Sequence, residues 1–279
     1  MLTSALGWLF YRLAPASYRA ACMEDFFAGQ GPSGWLAHLV RKEIVRRYHA
    51  LPDREKRRVN REKFWGAKPA LNWHEVKREL YSDPEKFGTD FLRFRAPLVA
   101  QIRELVKACP QIDTLCHVGT GHGILLEHLS TQVPGIRRFV GIDICAEQIR
   151  LTRERYRGTP LEFHHIEALD WLKGQAGKGI VLVAVGTLQY FTPEELRELL
   201  QAVKETARPG ALAISETVSI RLMSATRSTP RGDINYSHPY SELFRQERYH
   251  LFQHKIIPVD GAVPHHNQVI LTASTGPVR

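Results

Sequence analysis

The chain has 279 residues, with 38 Lys plus Arg against 29 Asp plus Glu, a formal net charge of +9 and 43% hydrophobic residues. That length exceeds one minimal domain, and the composition is that of a chain able to build a core rather than a disordered one. Four cysteines, at 22, 109, 116 and 145, show no paired metal-ligand spacing such as C-x-x-C and read as reduced thiols of a cytosolic protein. In chain order, Leu2, Ala5, Leu6, Trp8, Leu9, Phe10 and Leu13 come first, a short apolar cluster interrupted at Arg12 and Pro15. It falls far below the roughly 20 apolar residues that span a bilayer, and it lacks the positive start of a signal peptide. Two readings remain, a packed amphipathic helix or an interfacial anchor with Trp8, Phe10 and Tyr11 at headgroup depth.

Arg41 to Lys63 carries Arg41, Lys42, Arg46, Arg47, Arg54, Lys56, Arg57, Arg58, Arg61 and Lys63, most of the surplus charge. A solvated helix face is the ordinary fate of such a run. The alternatives are an anionic membrane surface, RNA phosphates or an acidic acceptor. Nucleic acid is the less favoured, because Tyr48 is the one aromatic among these residues and single-stranded RNA needs stacking platforms. Asn72-Trp73-His74-Glu75 reads as a capped helix start, and Phe91 to Val106 has helical apolar spacing. Residues 1–95 are therefore expected as a helical extension and 96–279 as the main domain.

That domain opens with a buried-strand pattern running into Val118-Gly119-Thr120-Gly121-His122-Gly123, then a helix, then a second apolar strand ending in Gly141-Ile142-Asp143. Glycines 119, 121 and 123 allow a tight turn with positive φ and close backbone approach to a ligand, and the next helix start points its amides into the same space. Asp143 stands where a ribose diol needs an acceptor. The dinucleotide fingerprint G-x-G-x-x-G is not met, since the third glycine comes one residue early and Ile124 takes its place. This favours a cofactor without a pyrophosphate. Leu161 to Ala168 reads as a short strand followed by the acid-Ala step Glu167-Ala168, and Gly179 to Val185 as a central parallel strand covered on both faces. Gly186-Thr187-Leu188-Gln189-Tyr190-Phe191 follows, then Thr192-Pro193-Glu194-Glu195, a helix start with a Thr cap, Pro at the first position and a capping-box acid. Pro209-Gly210 turns the chain into the strand Ala211 to Thr217.

Together, Ile112 to Thr217 resembles the class I S-adenosylmethionine-dependent methyltransferases. The resemblance implies a Rossmann-like α/β fold: a seven-stranded sheet of order 3-2-1-4-5-7-6, the last strand antiparallel, with helices on both faces. It implies S-adenosyl-L-methionine as cofactor, with Gly119, Thr120, Gly121 and Gly123 around the methionine half. Asp143 and Ile144 would lie at the ribose, Glu167 and Ala168 at the adenine, and Gly186 and Thr187 at the end of strand four. Two features depart from the family. His117 stands where most members carry Asp or Glu near the methionine ammonium; neutral imidazole can accept one hydrogen bond, but a protonated ring would repel the cofactor. The Asn-Pro-Pro-Tyr or Asp-Pro-Pro-Tyr motif of nucleobase amino-methyltransferases is absent, which argues against that branch.

Beyond Thr217, residues 224–240 are rich in Ser, Thr, Arg, Gly and Asn and read as a substrate loop carrying Arg231, Tyr236, His238 and Tyr240. A short helix from Pro239 to Gln246 and an antiparallel pair, Tyr249 to Pro258 and Asn267 to Ala273, would close the sheet, with His265-His266 in the hairpin. The expected reaction is O-methylation of a small-molecule or carbohydrate-like acceptor. His238 is the first candidate for general base, since an imidazole titrates near neutral pH, and His265 the second. Tyr190, Arg231, Tyr236 and Tyr240 are candidate acceptor contacts, and no His/carboxylate spacing suggests a metal. The alternatives are an RNA methyltransferase that uses the basic segment as a phosphate clamp, or a scaffold that keeps the fold without the reaction. The expected location is the cytoplasm, either free or peripheral at the inner face of a membrane; nothing in the sequence sets an oligomeric state.

Overall fold

The computed structural model describes residues 2–27, 34–50, 57–59, 61–62, 65, 84–219, 227–230, 234–258 and 266–277. They belong to two units, 1–82 with 230–235, and 83–229 with 236–279. Arg231, His265 and the Asn72–Glu75 helix start lie outside the described residues.

The first unit contains α1 (Leu2–Leu13), α2 (Ala16–Phe27) and α3 (Trp35–His49). Gly7 lets α1 approach α3 closely, since a Cβ there would sit 3.1 Å from the Leu39 carbonyl oxygen. Phe10 meets Trp35 edge-on at 5.4 Å. In α3 the buried Glu43 carboxylate receives Arg46 at 2.6 Å through two bonds and Arg47 at 2.9 Å. Those bonds, Arg46 first, hold its carboxyl below the usual range. Arg58 pairs with Glu62 at 2.5 Å. Part of the basic run is thus neutralised within its own helices.

The second unit begins with α4 (Pro84–Ala108), which starts before Phe91 and runs through residue 95 with Pro97 inside it. Then come β1 (Thr114–Val118), α5 (Ile124–Gln132), β2 (Arg138–Asp143), α6 (Ala146–Arg155), β3 (Glu162–His165), α7 (Ala168–Lys173) and β4 (Ile180–Val185). A 3-10 turn (Leu188–Tyr190), α8 (Pro193–Thr206), β5 (Gly210–Ser219), α9 (Tyr240–Gln246), β6 (His250–Pro258) and β7 (His266–Ser274) complete it. The sheet order is β3-β2-β1-β4-β5-β7-β6, with β7 antiparallel to both neighbours, as the sequence pattern predicts.

Period-two alternation splits the sheet residues between two cores. Cys116, Val118, Leu182, Ala184, Leu212 and Ile214 pack with Trp171 of α7, Leu196 and Leu199 of α8 and Phe244 of α9. Leu115, Val181, Val183, Ala211 and Ala213 pack with Leu98 and Ile102 of α4, Leu125 of α5 and Ile149 of α6. The capping box expected at α8 is present: the Glu195 amide donates to Thr192 Oγ1 at 3.2 Å and the Thr192 amide to Glu195 Oε2 at 2.8 Å. These features leave the carboxyl ends of β1, β2, β4 and β5 side by side, where open parallel sheets bind their ligands.

Candidate functional site

The loop after β1 has the positive φ its glycines permit: 69° at Gly119, 51° at Gly121 and 78° at Gly123. The Gly119 and Thr120 amides donate to the Ile142 carbonyl at 2.9 and 3.0 Å, which ties the loop to the end of β2. The three glycines answer different needs. A Cβ on Gly119 would lie 2.4 Å from Thr187 Oγ1, and one on Gly123 would meet Tyr156, Phe163 and Thr152, so both are packing positions. A Cβ on Gly121 would find no atom within 4 Å, so the loop is open to a ligand there. Asp143 closes the other side. Its Oδ2 accepts from the Gly121 amide at 3.0 Å and its Oδ1 from the Cys145 amide at 3.0 Å. Burial pushes its carboxyl above the usual range while these amide bonds oppose the shift.

Next to Asp143, Ile144 offers its carbonyl to His165 Nε2 at 3.0 Å. Glu167 occupies the N-cap position of α7 without capping that helix with its own side chain, and Ala168 is buried beside it. Gly186 has φ 64° and donates to the Ser215 carbonyl at 3.0 Å. Thr187 covers Gly119, and its amide and that of Leu188 both donate to Glu216 Oε1 at 2.9 Å. The described structure thus brings the glycine loop, Asp143, Gly186 and Thr187 to one end of the sheet. A separate open groove of about 560 Å³ runs along the outside of α6 between Arg150, Arg153, Arg157 and His165 and does not include the loop.

Residues 116–210 match the family model described as a methyltransferase domain. That stretch of the chain is therefore similar to a methyltransferase domain. Magnesium protoporphyrin IX methyltransferase from Synechocystis PCC 6803, solved with bound S-adenosylhomocysteine, is 12% identical, covers 78% of this chain and 98% of its own, and superposes with a TM-score of 0.53. The 1,6-didemethyltoxoflavin-N1-methyltransferase of Burkholderia thailandensis is 19% identical over 72% of this chain and 88% of its own, with a TM-score of 0.46. The N-methyltransferase NodS of Bradyrhizobium japonicum is 15% identical over 66% and 96%, with a TM-score of 0.47. No curated protein sequence matches.

The second unit places the other predicted residues differently from a set of solvent-facing contacts. His238 is buried; its Nε2 donates to the Phe191 carbonyl at 3.1 Å, so its Nδ1 is the acceptor for the Ser228 hydroxyl at 2.7 Å. Burial lowers its pKa to about 4, so the ring is neutral near pH 7. An acceptor could reach neither nitrogen directly without displacing Ser228 or Phe191. Tyr236 and Tyr240, both buried, flank the ring at 5.6 and 5.4 Å, whereas Tyr190 is only half-buried in the 3-10 turn. This stack fastens the substrate segment to the turn after β4.

Sequence reasoning missed Arg95 and Glu216. Glu216 sits fully buried in β5; burial pushes its carboxyl up to about 7 against the pull of its amide partners and Arg95. The signal was available, since an acid inside the apolar run Ala211 to Val218 violates the alternation that buries the strand. His117 points from β1 to the same face as Leu115 and is likewise buried; burial first and Arg95 second lower its pKa to about 4. Its two ring nitrogens lack hydrogen-bond partners, as do Glu216 Oε2 and Arg95 Nε. At that pKa the His117 ring is neutral near pH 7. Among the described residues no group of His, Cys, Asp or Glu side chains is arranged to hold a metal ion.

Proposed function

We propose that the chain is an S-adenosylmethionine-dependent methyltransferase acting on a hydroxyl of a small-molecule or carbohydrate-like acceptor. The observation that carries the cofactor assignment is the open space over Gly121 with Asp143 fixed 3.0 Å from its amide. Gly119, Thr120, Gly121 and Gly123 would line the methionine half, Asp143 and Ile144 the ribose, Glu167 and Ala168 the adenine edge. The cofactor supplies an already activated methyl group, so the protein's tasks are alignment, exclusion of water and removal of one proton. Thr187 and the 3-10 turn, pinned by Glu216, form the rigid wall against which the acceptor would be aligned. Tyr190 lies in that turn, and Tyr236 and Tyr240 pack on His238, which bonds the Phe191 carbonyl just after it.

His238 would take the acceptor's proton through the Ser228 hydroxyl that already donates to it. Replacing His238 by Ala should lower kcat by about 10–100-fold, near the small end of general-base effects because a ring held near pKa 4 is a weak base. S-adenosylhomocysteine affinity should stay within twofold; full turnover in the variant would remove His238 from the reaction.

A specific observation favours action at a membrane surface. Of eleven large hydrophobics exposed among the described residues, eight lie between Leu6 and Leu36. Leu6, Leu9 and Leu13, the last 71% exposed, share one face of α1, and Arg12 lies over the Trp8 ring at 4.9 Å. Apolar side chains beside Arg12 and Arg19 suit an anionic lipid interface, where aliphatic groups enter the acyl boundary and cations meet headgroups. No helix among the described residues is long and apolar enough to cross the bilayer, so this would be a peripheral contact. Vesicles containing phosphatidylserine should sediment the protein and phosphatidylcholine vesicles should not. Leu9→Glu with Leu13→Glu should weaken that binding at least tenfold, and unchanged sedimentation would discard the anchor.

A further inference from the structure

We infer that Thr152 of α6 is a positioning residue for the glycine loop: its hydroxyl holds the Gly121 carbonyl and so keeps the loop in the shape that admits the cofactor. The inference rests on the cofactor reading above and adds to it a side chain from a helix 31 positions further along the chain.

Gly121 has φ 51°, and a Cβ there would meet no atom within 4 Å, so no side chain fixes the peptide planes on either side of it. Both of its backbone polar groups are held nonetheless. Its amide donates to Asp143 Oδ2 at 3.0 Å, and its carbonyl accepts from Thr152 Oγ1 at 2.8 Å. The two anchors differ in kind. Asp143 is the expected ribose acceptor and answers to ligand and loop together, whereas Thr152 is 2% exposed and acts on the loop. In a planar trans peptide the N–H of residue 122 points opposite to the Gly121 carbonyl, so the bond to Thr152 decides which side of that peptide faces α6. Without it the peptide is released to turn, and a turned peptide carries its oxygen to the side that had faced away from the helix.

The residue type and its place on α6 fit this task. A threonine hydroxyl inside a helix commonly bonds the carbonyl four residues earlier. Thr152 instead donates to Gly121 and accepts from the Gln148 side-chain amide at 3.2 Å, so a chain of donors runs from Gln148 through Thr152 to the loop, each bond polarising the next. The β-branch supplies a second arm. Thr152 Cγ2 lies 3.1 Å from where a Cβ on Gly123 would stand, so the hydroxyl arm holds one glycine of the loop while the methyl arm covers another. Gln148, Thr152 and Tyr156 recur at intervals of four and share one face of α6, with Tyr156 at its end. Tyr156 turns its hydroxyl away from the loop, to Glu127 of α5 at 2.8 Å, and stacks its ring on Phe163. One helix face thus carries two buried hydroxyls, of which one reaches the loop.

That contrast supplies the test, made by titrating the full chain with S-adenosylhomocysteine in a calorimeter, well below the melting temperature of each variant. Thr152→Val keeps both branches but not the hydroxyl, and should weaken binding by about tenfold, the equivalent of one hydrogen bond. Thr152→Ser keeps the hydroxyl without the methyl and should restore affinity to within about threefold of wild type. Tyr156→Phe removes the other hydroxyl of the same face; it should lower the melting temperature and leave affinity within about threefold. Hydrogen exchange should show amides 119–123 opening faster in Thr152→Val than in wild type or Thr152→Ser, with the sheet amides unchanged. Wild-type affinity in Thr152→Val, or equal losses in all three variants, would overturn the positioning role and leave the cofactor site standing. If the wild type itself binds no S-adenosylhomocysteine, the cofactor reading fails and the role of Thr152 falls with it.

Discussion

Asp143→Ala is expected to weaken S-adenosylhomocysteine binding by about 100-fold or more. The carboxylate would accept two ribose hydroxyls, and hydrogen bonds to a charged group contribute about 1.5–3 kcal/mol each, so losing both amounts to roughly 3 kcal/mol, or about two decades in Kd. A second loss adds to the first. The same carboxylate bonds the amides of Gly121 and Cys145 at 3.0 Å, so its removal also loosens Gly121, while Gly119 and Thr120 stay tied to the Ile142 carbonyl. Asp143→Asn should fall between the two, because its amide keeps one acceptor and turns a donor toward one of those N–H groups. Gly121→Val should produce a comparable loss by a different route: its side chain would enter the open space over the loop, at a backbone φ of 51° that a β-branched residue resists. Calorimetric titration checks all three variants, and affinities within threefold of wild type would remove this end of the sheet as the cofactor site.

The largest expected effect on stability comes from Gly179→Ala. Gly179 precedes β4 where the chain crosses the start of β1, and its carbonyl accepts the Asp113 and Thr114 amides at 3.1 Å. A Cβ there would lie 1.9 Å from the Gln111 carbonyl oxygen and 2.7 Å from its carbon. Those are main-chain atoms, so relief requires moving β1 against β4 rather than rotating a side chain. Overpacking of this kind costs typically 1–3 kcal/mol, and a rigid backbone neighbour places it at about 3 kcal/mol or above. For a domain of this size that corresponds to a melting temperature lower by roughly 6–12 °C. A thermal scan showing less than a 2 °C shift would mean that the two strands separate there at little cost.

These two glycines differ in how far a sequence reveals them. Gly121 stands in a motif whose spacing states its purpose, whereas Gly179 looks like the ordinary first residue of an apolar strand. Its requirement comes from Gln111, 68 positions earlier, and only strand pairing brings that carbonyl to it. The same contrast runs through the candidate site. His238 was legible as a histidine in a polar segment, but its bonds to Phe191 and Ser228 depend on where the segment folds back. Glu216 was visible as an acid out of pattern, yet its role follows from Thr187, Leu188 and Arg95, which reach it from a turn and a helix elsewhere in the chain.

What the chain determined by itself was whatever local backbone chemistry demands. Positive φ at 119, 121 and 123 calls for glycine, Thr192 and Glu195 cap the helix they begin, and apolar runs of strand length alternating with helical spacing leave few arrangements for a parallel sheet. Tertiary structure decided which polar groups are taken out of water and what they then face. Arg95, His117 and Glu216 are far apart in sequence, and only the packing of α4 against the sheet brings Arg95 within electrostatic reach of the other two. Burial then alters their protonation, because desolvation depends on the surrounding protein and not on flanking residues.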